Sequence, residues 1–160
     1  MSKDIIVLGA IKAGINKFDK IQKIRHIEPK ELNSILEQLE NGRFIQVKEK
    51  KGLLGTKVEI VITEKGSEEV GNQVHELKTR WNQMSTLYKT QDRENLKQYM
   101  DESRSVFPMM IFFGVMDMMM FSMMFGMIGI AMSDYVPSES IPEGWDGSMV
   151  EGGFDTDVEV

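Results

Sequence analysis

A methionine-rich apolar run, FPMMIFFGVMDMMMFSMMFGMIGIAM, occupies Phe107 to Met132 and constrains the fold of this chain most strongly. It contains ten of the fourteen methionines and one charged residue, Asp117. As a single helix it would rise about 1.5 Å per residue and could cross a hydrocarbon core of roughly 30 Å. Methionine is also the adaptable side chain of surfaces that fit many shapes. The run therefore predicts a membrane helix, a partner-binding surface or an oligomer core.

Charge is divided sharply along the chain. Every lysine and arginine lies at or before Arg104, so residues 1–104 carry 19 bases against 16 acids, a net charge of +3. From Ser105 onward there are nine acids and no base, a net charge of −9. Such asymmetry indicates a nucleic acid or a membrane as partner. If the run crosses a membrane once, the positive-inside rule predicts a cytoplasmic N-terminal part and an acidic C-terminus outside.

Apolar spacing and turn residues predict the order of elements in the first ninety residues. Three helical stretches come first, and the third starts at Glu28-Pro29 and ends before a C′ glycine, Gly42. Two extended runs follow, joined by a basic turn at 48–57, and they predict a strand pair. Thr63-Glu64-Lys65-Gly66 then opens another helix. The predicted order is three helices, a hairpin and a helix.

Three segments carry a resemblance to a known family. They are FDKIQKI (18–24), ILEQLENGRFIQV (35–47) and VEIVITEKG (58–66). They resemble archaeal and bacterial winged helix-turn-helix proteins of the PadR/MarR-like kind, over roughly residues 4–90. The resemblance implies a winged helix-turn-helix, so we expect a mainly α fold with a small β-hairpin. A long helix and then a methionine-rich apolar helix or helical hairpin are expected to follow it. It also implies a DNA-binding transcriptional regulator whose helix from Pro29 to Gln38 enters the major groove of double-stranded DNA.

Candidate DNA-contacting residues follow from that resemblance and from side-chain chemistry. Asparagine and glutamine can pair with adenine, and lysine can contact guanine or phosphate. The candidates facing bases are Lys30, Asn33, Ser34 and Gln38. The candidates facing phosphates are Lys20, Lys23, Lys50, Lys51 and Lys57. Four carboxylates on or beside the same helix oppose DNA unless they point away, and they are Glu28, Glu31, Glu37 and Glu40. The alternative is a basic face used for protein contacts.

A heptad seam follows the predicted hairpin. Its apolar residues are spaced by four and three and are Val74, Leu77, Trp81, Met84 and Tyr88. This spacing is typical of a coiled coil and predicts a homodimer, and the alternative is packing against the chain itself. The polar stretch 90–92 predicts an interruption, after which Leu96, Tyr99 and Met100 resume a weaker apolar face.

The methionine-rich run has a second functional interpretation. Its representative side chains are Met109, Met116, Met120, Met123 and Met127. In composition, without an aligned motif, it is weakly similar to the methionine-rich grooves of signal-recognition-particle M domains and ubiquilin-type modules. That similarity implies a non-enzymatic adaptor or chaperone-like protein that binds apolar segments of partners. Gly114 or Gly126 would mark bends. Asp117 would be either a buried ionisable group or a turn residue in contact with water.

We therefore expect four segments. These are a winged helix at 1–66, a long amphipathic helix at 67–105, the methionine-rich segment at 106–136 and an acidic disordered tail at 137–160. The chain has no cysteine, and its two histidines lack metal-ligand spacing. Neither a nucleophile motif nor a phosphate-binding glycine loop is present. We expect no metal, no cofactor and no enzymatic activity.

Overall fold

The computed structural model of the chain describes residues 2–24, 26–53 and 55–141. Within those ranges the chain is mainly helical and has one antiparallel sheet of two strands, which confirms the predicted fold class at this level. The helices are α1 (Ser2–Lys12), α2 (Phe18–Ile24), α3 (Pro29–Asn41), α4 (Glu64–Lys89), α5 (Arg93–Ser103), α6 (Phe107–Phe112) and α7 (Met118–Ile128). The strands are β1 (Ile45–Gly52) and β2 (Gly55–Ile62).

The chain divides into two compact units, Met1–Gln73 and Val74–Val160, and the boundary falls within α4. In the first unit α1 is the central helix, because all of its residues from Ile6 to Ile11 are buried. A helix that is apolar on every side is typical of a position inside a core. It packs against α2, α3 and β2. The apolar face of α3 completes this core with Leu32, Ile35, Leu36 and Leu39.

The two strands are longer than the sequence predicts. Pairing starts at Ile45 with Ile62 and continues to Gly52 with Gly55, so both strands extend into the stretch 48–57 that was expected to be a turn. The expectation was wrong because the lysines and glutamates of this stretch hide the period-two pattern of a half-buried strand. The hydrogen bonds between antiparallel strands are made by backbone groups. Charged side chains are therefore compatible with pairing where the faces of the hairpin are exposed to water.

The end of α3 also differs from the expectation. Gly42 has a helical φ of −78°, and the left-handed residue is Arg43, with a φ of 63°. The N–H of Phe44 donates to the carbonyl oxygen of Leu39 at 2.9 Å, a bond that closes a helix C-terminus. Gly42 is needed for space, because a Cβ there would lie 2.8 Å from the Phe44 ring.

The threonine and glycine predicted to open α4 form a tight junction with the start of the hairpin. The Thr63 hydroxyl donates to the carbonyl oxygen of Arg43 at 2.6 Å and lies 3.0 Å from that of Phe44. It also accepts the N–H of Gly66 at 3.1 Å, which caps the first turn of the helix. A Cβ at Gly66 would lie 2.2 Å from the carbonyl oxygen of Phe44. Only glycine permits this approach of two backbones.

Gly66→Ala is therefore expected to destabilise the protein by about 1–3 kcal/mol or more, because the helix start or the hairpin base must move. Urea unfolding of the 160-residue chain, followed by circular dichroism, measures the change. Gly71→Ala is the matched control, since a Cβ there meets nothing within 4 Å. It should leave stability unchanged or raise it by roughly 0.5–1 kcal/mol. Equal effects of the two substitutions would contradict the tight junction.

The second unit begins within α4 and turns at the polar stretch predicted to interrupt the helix, which confirms that prediction. Gln91 has a φ of 57°, and the Asp92 side chain accepts the N–H of Asn95 at 3.3 Å at the start of α5. Leu96 and Met100 are buried on α5. The interruption is favoured because the Asp92 side chain caps the first turn of a new helix, α5.

The methionine-rich run forms two helices rather than one. Gly114, with a φ of 66°, follows the end of α6, and it is one of the two bends that the sequence predicts. Asp117 is exposed and accepts the N–H groups of Met119 and Met120, so it caps α7. This confirms the interpretation of Asp117 as a turn residue in contact with water. Within the described ranges, no helix combines the length and the apolar composition that a membrane crossing requires.

A chain of aromatic rings forms the core of the second unit. Phe121 lies at its centre, with ring centroids 5.0 Å from Phe107, 4.9 Å from Phe125 and 6.4 Å from Trp81. Tyr135 continues the chain at 5.6 Å from Phe125. All four pairs meet edge to face, the arrangement that ring quadrupoles favour. The methionine-rich run thus supplies much of the interior of its own unit.

Two arginines hold the C-terminal part of this unit. Arg93 of α5 donates to the carbonyl oxygens of Met127 and Ile128 at the end of α7, where helix carbonyls lack partners. The Arg104 guanidinium donates to the carbonyl oxygen of Asp134 and lies 4.9 Å from the centre of the Tyr135 ring. At the start of the predicted disordered acidic tail, 137–160, residues Ser138–Ser140 form a short 3-10 helix with Ser140 buried. Residues 142–160 of that tail lie outside the described residues.

Two buried serines of the second unit should respond oppositely to alanine. Ser103 accepts a hydrogen bond from Arg80 at 3.1 Å, whereas the buried hydroxyl of Ser85 has no partner among the described residues. Ser103→Ala should cost about 1 kcal/mol, and Ser85→Ala should leave stability unchanged or raise it by up to about 1 kcal/mol. Thermal unfolding of both variants beside the parent chain measures this difference. A loss at Ser85 as large as the loss at Ser103 would contradict it.

Candidate nucleic-acid interface

The first unit presents α3 through a short turn that follows α2. His26 in this turn has a φ of 51°, and the N–H of Ile27 donates to the carbonyl oxygen of Gln22 at 3.1 Å, so α2 ends in a reversed turn. Ile27 is buried and anchors the turn in the core. Pro29 occupies the first turn of α3, where its missing N–H costs nothing.

The outer face of α3 carries the four side chains predicted to face bases. Lys30, Asn33, Ser34 and Gln38 are all exposed. They lie opposite the buried leucines and isoleucine because a helix repeats every 3.6 residues. Within the part of the chain that the structure describes, none of these four side chains makes a hydrogen bond. They are free to contact a ligand.

Two of the four glutamates that would repel DNA form contacts within the chain. Glu31 forms an ion pair with Lys3 of α1 at 2.9 Å. Glu40 accepts the N–H of Val47 on β1 at 3.3 Å. These contacts direct both carboxylates to the flanks of α3. Glu37 has no such contact among the described residues and is exposed on the same face as Ser34.

Asn41 is a further polar side chain on this face, and the sequence reasoning missed it. It is exposed at the last position of α3. The signal is its spacing, because Asn41 lies seven residues after Ser34 and three after Gln38, which places it on the same side of a helix. The first unit also has an open groove of about 440 Å³, lined by Glu40, Arg43, Ile45, Gln46, Val47, Lys48 and Thr63.

The lysines predicted to face phosphates lie on three elements, α2, β1 and β2. Lys20 and Lys23 are exposed on α2, and Lys51 is exposed on β1. The strand register places Lys50 opposite Lys57 on the hairpin. Beyond this register, the prediction for those two side chains lies outside what the structure describes. Lys20 and Lys23 precede α3 in the sequence and Lys51 follows it, so exposed lysines lie on elements before and after this helix.

The predicted dimer seam is used inside the second unit. Leu77, Trp81 and Met84 are buried within the single chain, while Val74 and Tyr88 are half-buried. The edge contact of Trp81 with Phe121 shows part of what covers the seam. Homodimerisation stays a prediction. Because these three side chains are buried within the single chain, a dimer would have to use other residues as well.

The methionines singled out in the apolar run divide into two groups. Met109 and Met116 are buried in the core of the second unit. Met120, Met123 and Met127 are half-buried along α7. The last two line an open groove of about 430 Å³ together with Tyr88, Lys89 and Gln91. This groove is one place where methionines of the run are accessible.

No group of three or more histidine, cysteine, aspartate or glutamate side chains within the described ranges is placed to hold a metal ion. No family model matches this chain, and no curated protein or solved structure matches it either. The interpretation of the interface therefore depends on the chemistry and placement of its own residues.

Proposed function

We propose that this protein is a DNA-binding transcriptional regulator and that its first unit is a winged helix-turn-helix. The order of three helices, a hairpin and a fourth helix supports this fold, as does the reversed turn between α2 and α3. The decisive support is the outer face of α3. Four exposed polar side chains lie there without internal partners, and contacts within the chain hold two neighbouring carboxylates aside.

The chemistry of this face suits base recognition in the major groove. Asn33 and Gln38 offer the paired donor and acceptor that match adenine, and Lys30 offers a cation to guanine or phosphate. Lys20, Lys23 and the hairpin lysines would contact phosphates, which position a protein without reading sequence. The net charge of the whole chain is −6, so binding depends on this local distribution of charge.

Removing the phosphate contacts is expected to change the salt dependence of binding. For the 160-residue chain on a duplex selected from a random pool, Lys20→Gln with Lys23→Gln should weaken binding. The slope of log K against log salt should become shallower by about 0.9 for each lost contact. Fluorescence anisotropy measures the slope at salt concentrations from about 50 to about 200 mM, a range over which DNA affinity changes strongly.

Asn33→Ala should instead cost about 1–3 kcal/mol of binding free energy on the selected site and little on random DNA.

Lys78→Gln with Lys97→Gln is the matched control. Both lysines are exposed on the second unit, and the double substitution removes the same charge. It should leave the slope unchanged. If the parent chain selects no duplex, or if both double variants change the slope equally, the proposed DNA interface is wrong.

A further inference from the structure

The hairpin of the first unit exposes apolar side chains that the DNA proposal does not use. Among the described residues, the exposed large hydrophobic side chains are Leu53, Val58 and Val47, with exposures of 107%, 55% and 38%. All three lie on this one element. Turn positions ordinarily favour glycine, asparagine or aspartate, so a fully exposed leucine at the tip contributes nothing to the turn itself.

The register places Val47 and Val58 on one face of the hairpin, and it places the exposed Glu49 and Lys51 on that face as well. Val47 pairs with the buried Ile60, and Val58 lies two residues before Ile60 on the same face of β2. The exposure of the apolar side chains rises from Val47 through Val58 to Leu53, which follows the last residue of β1. The hairpin therefore ends in an exposed apolar side chain, and charged side chains stand between this tip and the core of the unit.

Cations follow directly behind this tip. Lys51 is exposed two residues before Leu53, which is about 7 Å along a strand, and Lys48 is exposed farther back on β1. In a lipid bilayer, interfacial elements bury apolar groups about 5–10 Å below the headgroups while lysines stay at the phosphate level. The distance from Lys51 to the tip fits this layering.

We propose that the hairpin tip binds the surface of a bilayer that contains anionic lipids, with Leu53 inserted, Lys51 at the lipid phosphates and Lys48 farther back, on the water side of them. Anionic lipid is required because lysines near such a surface supply much of the attraction. A bilayer accepts a projecting tip without a complementary pocket. The DNA minor groove suits it less, since this groove is about 6 Å wide and two paired strands are already about 4.8 Å apart before side chains are added.

This inference does not depend on the proposed DNA function. If both hold, lipid and DNA compete for the hairpin, because Lys51 belongs to both sets of contacts. A bilayer rich in anionic lipid would then lower the amount of protein bound to DNA.

Vesicle co-sedimentation of the 160-residue chain tests the proposal. Vesicles of phosphatidylglycerol and phosphatidylcholine should pellet the protein, and vesicles of phosphatidylcholine alone should pellet much less. Leu53→Ser should lower the partition coefficient about tenfold, as should Lys48→Gln with Lys51→Gln. Leu53→Trp should keep or raise it, because tryptophan favours the interface. Since Leu53 is fully exposed, these substitutions leave the core intact.

A fluorescent label reports insertion directly. The chain has no cysteine, so Leu53→Cys gives a single site for an environment-sensitive dye. Its emission should shift to the blue with anionic vesicles, whereas the same dye on Asn72→Cys, an exposed site on α4, should not shift. Three results would overturn the proposal: no binding to anionic vesicles, equal binding of Leu53→Ser and the parent chain, or no shift at position 53. Loss of DNA affinity in Leu53→Ser without any vesicle binding would also overturn it and would assign the tip to nucleic acid.

Discussion

The close approach of Gly66 to the backbone of Phe44 is the contact on which the first unit depends. Thr63 donates to the carbonyl oxygen of Arg43 and caps Gly66, so the end of α3, the hairpin base and the start of α4 meet at one point. Lys65 adds a hydrogen bond of 2.8 Å to the carbonyl oxygen of Gly42 and lies 4.7 Å from the centre of the Phe44 ring. These contacts determine where the hairpin emerges beside α3.

The order of elements in the first unit is predictable because strong local signals mark it. Pro29 starts α3, apolar spacing defines its buried face, and Thr63 with Gly66 opens α4. The length of the strands is not predictable in the same way. Charged residues at 48–51 and 57 carry no period-two pattern, and pairing there comes from the backbone ladder. Arg43 rather than Gly42 takes the left-handed position, whereas Gly42 leaves space for the Phe44 ring.

The methionine-rich run shows where composition stops being informative. Hydropathy alone does not distinguish a single long helix from two short helices that bury their apolar side chains in the core of one unit. The deciding residues are polar or small, since Gly114 follows the end of α6 and Asp117 caps α7. The candidate site shows the same limit. Helical spacing predicts that four side chains of α3 are exposed: Lys30, Asn33, Ser34 and Gln38. It does not predict the ion pair of Glu31 with Lys3, because that contact joins distant parts of the chain.

The central claim is that the outer face of α3 meets DNA, and Glu37 tests it most directly. This exposed carboxylate shares the face with Ser34 and has no partner among the described residues. We therefore predict that Glu37→Gln binds DNA about two- to fivefold more tightly at low salt, because a repulsive charge near phosphate is removed. Glu76→Gln, the same change at an exposed site on the second unit, should not tighten binding. A gain in affinity is not a result of damaged folding. Unchanged or weaker binding of Glu37→Gln, or an equal gain at Glu76, would contradict the account.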